Sequence, residues 1–371
     1  MAEGAEVDRK KEWRPEAGCA YAPLFVPSQW GVKNFAQYFF GYPGFLWPWN
    51  TIYFLTCCIT YKFATPPLEM CKEFGTGWVA LLWFRNLILL WMFAGGWHLL
   101  LYTTKSQGPD GMDRKYDKKW PAYNKKFMFG HQTYENVFMS CASGVTIWTA
   151  YEALFMRMWA NDSIPFYTDW FHNPEFVPTW IPRGGWSFFL LFCTPFWREF
   201  HFYWIHRFSH WKPFYKQVHY LHHKNVNPGP WSGLSMHPVE HLMYFAVVIP
   251  HMFIVGHPIH LFFNAQHTGL TPAGGHHGFE GPVKGPGPAK YTGSYFHYLH
   301  HRYFECNYGE ATIPLDKWFG TFRDGQSTAD GKISSTPGGS KEPGWVTVLT
   351  AVVGTVIGLA PVVPLLQTGL K

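Results

Sequence analysis

The chain of 371 residues is 47% hydrophobic and 20% aromatic, with only 15% Asp, Glu, Lys or Arg, a balance too apolar for an ordinary soluble enzyme. A mean hydropathy of −0.13 argues against a transporter-like bundle and fits a half-immersed protein with several spans and a large polar cap. The formal net charge of +6 suits contact with anionic headgroups but comes without the concentrated basic runs of a nucleic-acid binder, which excludes nucleic acid as a partner.

The opening segment, "MAEGAEVDRKKEWRPEAG", is charged and has no apolar centre, so it predicts no cleaved signal peptide and leaves insertion to internal spans. Four apolar stretches then approach bilayer length: 45–61, broken by Pro48 and Asn50; 78–102, carrying Arg85 and His98; 136–159; and 185–206. A fifth, 242–263, is interrupted by Pro250, Gly256 and Pro258 and studded with His251, His257 and His260, which reads as a broken or interfacial helix with its histidines at helix ends. A last stretch, 345–366, has no charge and is a further candidate span.

Lys105, Arg114, Lys115, Lys118, Lys119, Lys125 and Lys126 lie between the second and third stretches, against Arg183 alone between the third and fourth. The positive-inside rule makes the first of these loops cytosolic. The expected organisation is therefore an N-terminal cytosolic segment over 1–36, spans over 37–206 with a basic loop at 103–135, a cytosolic cap over 206–325, and a linker with a C-terminal hydrophobic segment over 326–371. Within the cap, residues 271–294 are Gly/Pro-rich and read as a loop over or beside a site. The seven cysteines form no CxxC pair and leave an odd count, which indicates neither a disulfide framework nor a cysteine zinc site.

The pentapeptide "HYLHH" occurs at His219–His223 and again at His297–His301. Random order would place roughly 0.06 copies of HxxHH in a chain of this composition, so the repeat carries information. Two further boxes flank it, His206-R-F-S-His210 and His237-P-V-E-His241, with His267 alone in "QHTG". On a helix, positions i, i+3 and i+4 share a face, so an HxxxH box presents two imidazoles and each HxxHH box three. Those from His206, His210, His219, His222, His223, His297, His300 and His301 are too many for one metal and suit a pair. No Glu-x-x-His of the soluble di-iron bundles lies on the expected spans. Imidazole accepts iron, copper, zinc and nickel alike, so spacing leaves the metal open.

The ordered run "YWIHRFSH", "VHYLHHKN", "MHPVEH", "QHTG", "FHYLHHRYFECNYGE" and "PLDKWFGTFRDG" resembles the membrane-bound fatty acid hydroxylase and sterol desaturase superfamily over about 199–324. The resemblance implies an all-α integral membrane bundle of about four to five spans whose cytosolic helical cap holds a histidine-rich di-iron centre, with zinc able to replace iron during purification. It also implies an O2-dependent hydroxylase or desaturase acting on a sterol or fatty acyl lipid. Carried over by position, it makes the eight box histidines metal ligands, adds His267 as a ninth, and gives His237 and Glu240 a role as ligand or support. His241, His276 and His277 have no counterpart in the pattern and stand as further candidates of the same kind. Asp316 and Arg323 either orient ligands or close the cap. The chain has no GxGxxG, and "STPGGS" lacks the histidine of a haem-binding HPGG. A separate electron donor of cytochrome b5 or ferredoxin type is thus expected, in the endoplasmic reticulum of a eukaryote or the inner membrane of a bacterium. The alternative is a lipid-binding or structural subunit of a larger membrane complex that keeps the scaffold. A metal transporter is disfavoured because the histidines cluster in the cap and do not line the spans.

Overall fold

The computed structural model describes residues 12–15, 18–19, 21–281, 294–326, 349–350, 352–353 and 356. The expected C-terminal span, the linker before it and the middle of the Gly/Pro-rich loop lie largely or wholly outside these residues. Among the described residues there are helices and loops but no β-strand, only isolated bridges.

After a short helix α1 (Val32–Phe40), the first two apolar stretches fold as α2 (Thr51–Phe63) and α3 (Thr76–Thr103). Next come α4 (132–160) and α5 (Gly185–Ser209). With 28 residues, α3 is about 42 Å long, more than the ~30 Å core of a bilayer. It is the one helix among the described residues long and apolar enough to cross a membrane; α4 and α5 have the length but carry Glu135, Glu152 and Arg157, and Arg198, Glu199 and Arg207. One face of α3 is buried through Leu82, Arg85 and Leu89, while Leu81, Phe84 and Ile88 are exposed, as are Phe188, Phe189 and Phe192 of α5.

The cap continues with α6 (212–223), α7 (Pro238–Phe245), α8 (Pro258–Gly275), α9 (Ser294–Tyr303) and the single turn α10 (Leu315–Trp318). The broken reading of 242–263 matches what forms there: α7 gives way to tighter turns over Ala246–Met252, and a new helix starts at Pro258. Both restarts use the same device. His237 and His257 each precede a proline at the first helical position and accept the backbone N–H two residues on, from Val239 and Ile259, at 3.2 Å each. This satisfies one of the orphan donors of a helix start. Helix α8 is almost wholly buried at the centre of the bundle. Gly269 lets it approach α4, since a Cβ there would come within 2.7 Å of the Trp148 ring. Its length also corrects the loop reading of 271–294, because the helix persists through Gly275 despite Pro272.

The basic loop and the cap form one face. Asn227 donates to the Lys119 carbonyl at 2.8 Å, Lys126 to that of Lys224 at 3.1 Å, and Tyr116 Oη lies 2.8 Å from Ser294 Oγ. Lys115, one of the seven loop bases, is fully buried, donates to Asn227 at 2.9 Å, and burial depresses its ammonium to about 7.

Inside the bundle, Arg85 of α3 pairs with Glu152 of α4, both nearly inaccessible. Asn86 and Trp148 donate to the same carboxylate at 2.7 and 2.9 Å, and Arg85 also reaches Asn86 at 3.0 Å and Thr65 at 3.0 Å. Removing one partner strands the other charge, so Glu152→Ala is expected to cost about 3–5 kcal/mol, read as a lowered Tm in detergent or lipid. Arg85→Met/Glu152→Leu should recover most of that loss; a double variant no more stable than the single one would contradict it.

Candidate metal centre

The three ligand-bearing helices meet end-on. His206 and His210 come from the last turn of α5, His219, His222 and His223 from α6, and His297, His300 and His301 from α9. Their ring nitrogens gather into two groups. One holds His206, His210, His219, His223 and His300; the other holds His222, His297 and His301 together with His276. Within the first, Nε2 of His210 stands 3.1 Å from those of His219 and His223 and 3.2 Å from that of His300. Within the second, Nε2 of His276 stands 2.9, 3.1 and 3.4 Å from those of His297, His301 and His222.

These short separations cannot all be hydrogen bonds, because the opposite edges of the rings fix where the protons are. Nδ1 of His206 donates to the Tyr308 carbonyl at 2.6 Å, that of His300 to Cys306 at 2.6 Å, that of His276 to Pro272 at 2.9 Å and that of His222 to Ser235 at 3.3 Å. Nδ1 of His219 donates to the Glu240 carboxylate at 2.7 Å. A neutral imidazole with its proton on Nδ1 has a bare lone pair at Nε2. The lone pairs of His222 and His276 therefore face one another, those of His219 and His300 both point at His210, and His206 Nε2 is buried with no protein partner. A cation resolves this conflict: metal–nitrogen bonds of about 2.0–2.1 Å place neighbouring ligand atoms roughly 2.9–3.4 Å apart. The donor set fits a pair of imidazole-bound metal ions.

Residues 191–321, which span these helices, match the fatty acid hydroxylase family model. Over these residues the chain is similar to the fatty acid hydroxylase and sterol desaturase superfamily. A Delta(7)-sterol 5(6)-desaturase of Gibberella zeae, ERG3B, is 32% identical over 176 residues, covering 43% of this chain and 50% of that protein. A Delta(7)-sterol-C5(6)-desaturase of Nicotiana tabacum is 35% identical over 138 residues, covering 34% of this chain and 46% of the relative. The chain spans about half the length of the curated relatives it matches. No solved structure matches it.

The other candidates divide by geometry. Within the matched residues His267 joins neither group: its Nε2 meets Asn50 Oδ1 at 2.8 Å and its ring packs edge-on to Tyr53. His237 is a helix cap. His241 is held by Ser143 at 2.9 Å and the Leu234 carbonyl at 3.0 Å, and His277 accepts from the Phe279 amide at 3.1 Å. The "HPVEH" box thus contributes Glu240 to the site and not a pair of imidazoles. Only His276 moves inward, placed by the last turn of α8, and no helical spacing in the sequence marks it.

A loop holds the last box in register. Asp316 accepts the amides of Tyr308 and Gly309 at 2.8 Å each and the Thr321 hydroxyl at 2.6 Å. Asn307, at a φ of 54°, bonds the Phe296 and Arg323 carbonyls at 3.1 and 2.9 Å. The carbonyls of Cys306 and Tyr308 are thereby aimed at His300 and His206. A side chain at Gly309 would press on Asp316 and Tyr203, at 3.1 and 3.3 Å. Asp316 is accordingly an orienting residue, whereas Arg323 lies over the Tyr303 ring at 4.4 Å.

Burial depresses the imidazoles of His219 and His222 to about 3 and about 4, and lifts the Glu240 carboxyl to about 7. Next to a bound cation that carboxyl would be held ionised. A cavity of about 1440 Å³ adjoins the histidines, reaching His206, His222, His276 and His297 at one end and Tyr38, Tyr42 and Phe45 at another.

Metal analysis of the purified protein should find two equivalents. His276→Ala is expected to lose one and His267→Ala to keep both. Glu240→Gln should weaken retention against a chelator by about 10–100-fold; equal metal loss in all three variants would contradict the grouping. A second expectation concerns pH. The unfolded chain protonates its histidines near 6.5, whereas His219 and His222 stay neutral in the fold down to about 3 and 4. The unfolded state then binds more protons as pH falls below about 6.5, so the metal-free fold loses stability from there downward, by up to about 1.4 kcal/mol per pH unit for each such histidine. Tm of the metal-free protein measured from pH 7.5 to 5 should fall with acid; a flat profile would contradict the buried neutral assignment.

Proposed function

We propose that the protein is a membrane-bound, O2-dependent hydroxylase or desaturase of a sterol or related lipid, built on a di-iron centre. The observation that carries this reading is the convergence of nine imidazoles, with no proton at Nε2 of those whose Nδ1 is engaged, beside a cavity of lipid size. His206, His210, His219, His223 and His300 would hold one ion, and His222, His276, His297 and His301 the other. Two bound irons would supply the reductive activation of O2 needed to break an unactivated C–H bond. The chain's own residues do the rest. Phe202, packed at 4.8 Å on His206 and 6.2 Å from His297, walls the cavity beside both groups and excludes water from them. Arg198, held to Glu310 at 2.8 Å, and Tyr244 give the cavity a polar region able to receive a lipid hydroxyl. The sterol desaturases among the relatives favour a sterol as the first substrate to test.

Immersion in a bilayer is part of this proposal. The long apolar α3 and the exposed Leu, Ile and Phe side chains of α3 and α5 support it, since exposed apolar patches of this extent have few other uses. The basic loop shares a face with the cap, so the positive-inside rule favours a cytosolic metal centre.

The test is incubation of iron-loaded protein with a Delta(7)-sterol, O2 and a reductant, with products identified by mass spectrometry. His222→Ala should abolish turnover. His257→Ala, which removes a helix cap and ring contacts with Tyr61 and Trp170 away from both histidine groups, should turn over nearly as wild type while losing about 1 kcal/mol or more of stability. Wild-type protein holding two metals but oxidising neither sterols nor acyl lipids would favour a lipid-binding subunit instead.

A further inference from the structure

The oxygenase reading demands electrons. Hydroxylation combines RH, O2, two protons and two electrons into ROH and water; desaturation uses the same inputs to remove two hydrogens and form two waters. The two electrons come from outside, and they must reach ions enclosed in protein. Eight of the nine converging histidines are buried, and His210 alone is partly exposed.

The surface over His210 has a distinctive composition. His210 ends α5, and the half-buried Tyr215 ring of α6 lies 5.5 Å from it, 6.0 Å from His219 and 5.7 Å from His223, touching three members of one group. The outer side of α6 repeats every four residues: Lys212, Lys216, Tyr220 and Lys224. On a helix such positions share a face. Lys212 and Lys216 are exposed, Tyr220 is 51% exposed and the neighbouring Trp211 is 59% exposed. Lys224 is paired with Glu135, and Lys126, exposed, bonds its carbonyl. One helix thus carries metal-facing imidazoles inside and a basic, aromatic-flanked face outside.

We propose that this outer face of α6 is the docking surface for a one-electron carrier protein with a carboxylate-rich face, and that the proposal rests on the oxygenase reading for its purpose but not for its test. A basic patch steers an acidic partner and orients it, which puts the carrier's redox group nearest the Tyr215 ring. A membrane surface could also attract lysines but cannot deliver electrons, and Lys216 adjoins Tyr215, whose ring packs on three histidines of one group.

The experiment measures the Kd of the soluble cytochrome b5 haem domain, an acidic carrier, for the full-length protein in neutral phosphatidylcholine nanodiscs. Wild type is compared with Lys212→Glu/Lys216→Glu and with the control Lys72→Glu, an exposed base bonded through its carbonyl by Asn161 at the end of α4 away from Lys224. The double variant should weaken binding about tenfold or more at low ionic strength, and the difference should shrink as salt screens it. Its metal content and its turnover with dithionite should match wild type. An unchanged carrier Kd overturns the proposal, as does a variant that loses only its binding to anionic vesicles, which would make the face a membrane contact. Salt-sensitive carrier binding without any oxygenation by wild type would refute the oxygenase reading alone. Dithionite-driven oxygenation with a carrier Kd indifferent to the reversal would refute the docking face alone.

Discussion

Imidazole nitrogens crowded at 2.9–3.4 Å, among them the facing lone pairs of His222 and His276, are relieved by a cation between them, and much of the cap is arranged to keep them there. Five of the nine rings are turned by what grips their outer edge. Two carbonyls of the loop after α9, the last turn of α8, the Ser235 carbonyl and the Glu240 carboxylate set the tautomers from four separate pieces of chain. Behind them stands another layer, in which Asp316 and Asn307 fix the carbonyls themselves. Such outer contacts raise ligand basicity and fix ring orientation.

The helical bundle below solves a related problem with opposite charges. Arg85 and Glu152 are enclosed by Asn86, Trp148 and Thr65, so every strong polar atom there has a partner. Helix α8 packs between this ion-pair layer and the metal centre, close enough to α4 at Gly269 that a methyl group would collide with Trp148. Through α8 the placement of His276 is coupled to the packing of the bundle.

The sequence disclosed the site unevenly, for physical reasons. Helical spacing is a local property, so the two HYLHH boxes and HRFSH were legible, as were the helices that carry them. His276 was legible only as a candidate, since it follows a Gly-rich turn and owes its position to where α8 ends. His267 looked equivalent to the box histidines by resemblance, yet Asn50, from a distant part of the chain, holds it. The prolines after His237 and His257 carried a usable signal, the cap, that the search for ligands obscured. The pairing of Arg85 with Glu152 was hidden because it joins residues 67 positions apart, and nothing local set Lys115 apart from the other loop bases because its burial depends on packing against Tyr102 and Phe279.

The division of the histidines into two groups has a temporal side. As the chain is synthesised, the first group has four of its five members by His223, whereas the second has only His222 until His276 and its last member at His301. The carbonyls that orient His206 and His300 come later still, and Asp316, which fixes them, last of all. A nascent cap therefore presents one nearly complete coordination sphere and one almost empty one. The second group closes at His301 with its orienting carbonyls already made, whereas the first, though begun earlier, waits for Cys306 and Tyr308 to orient two of its rings.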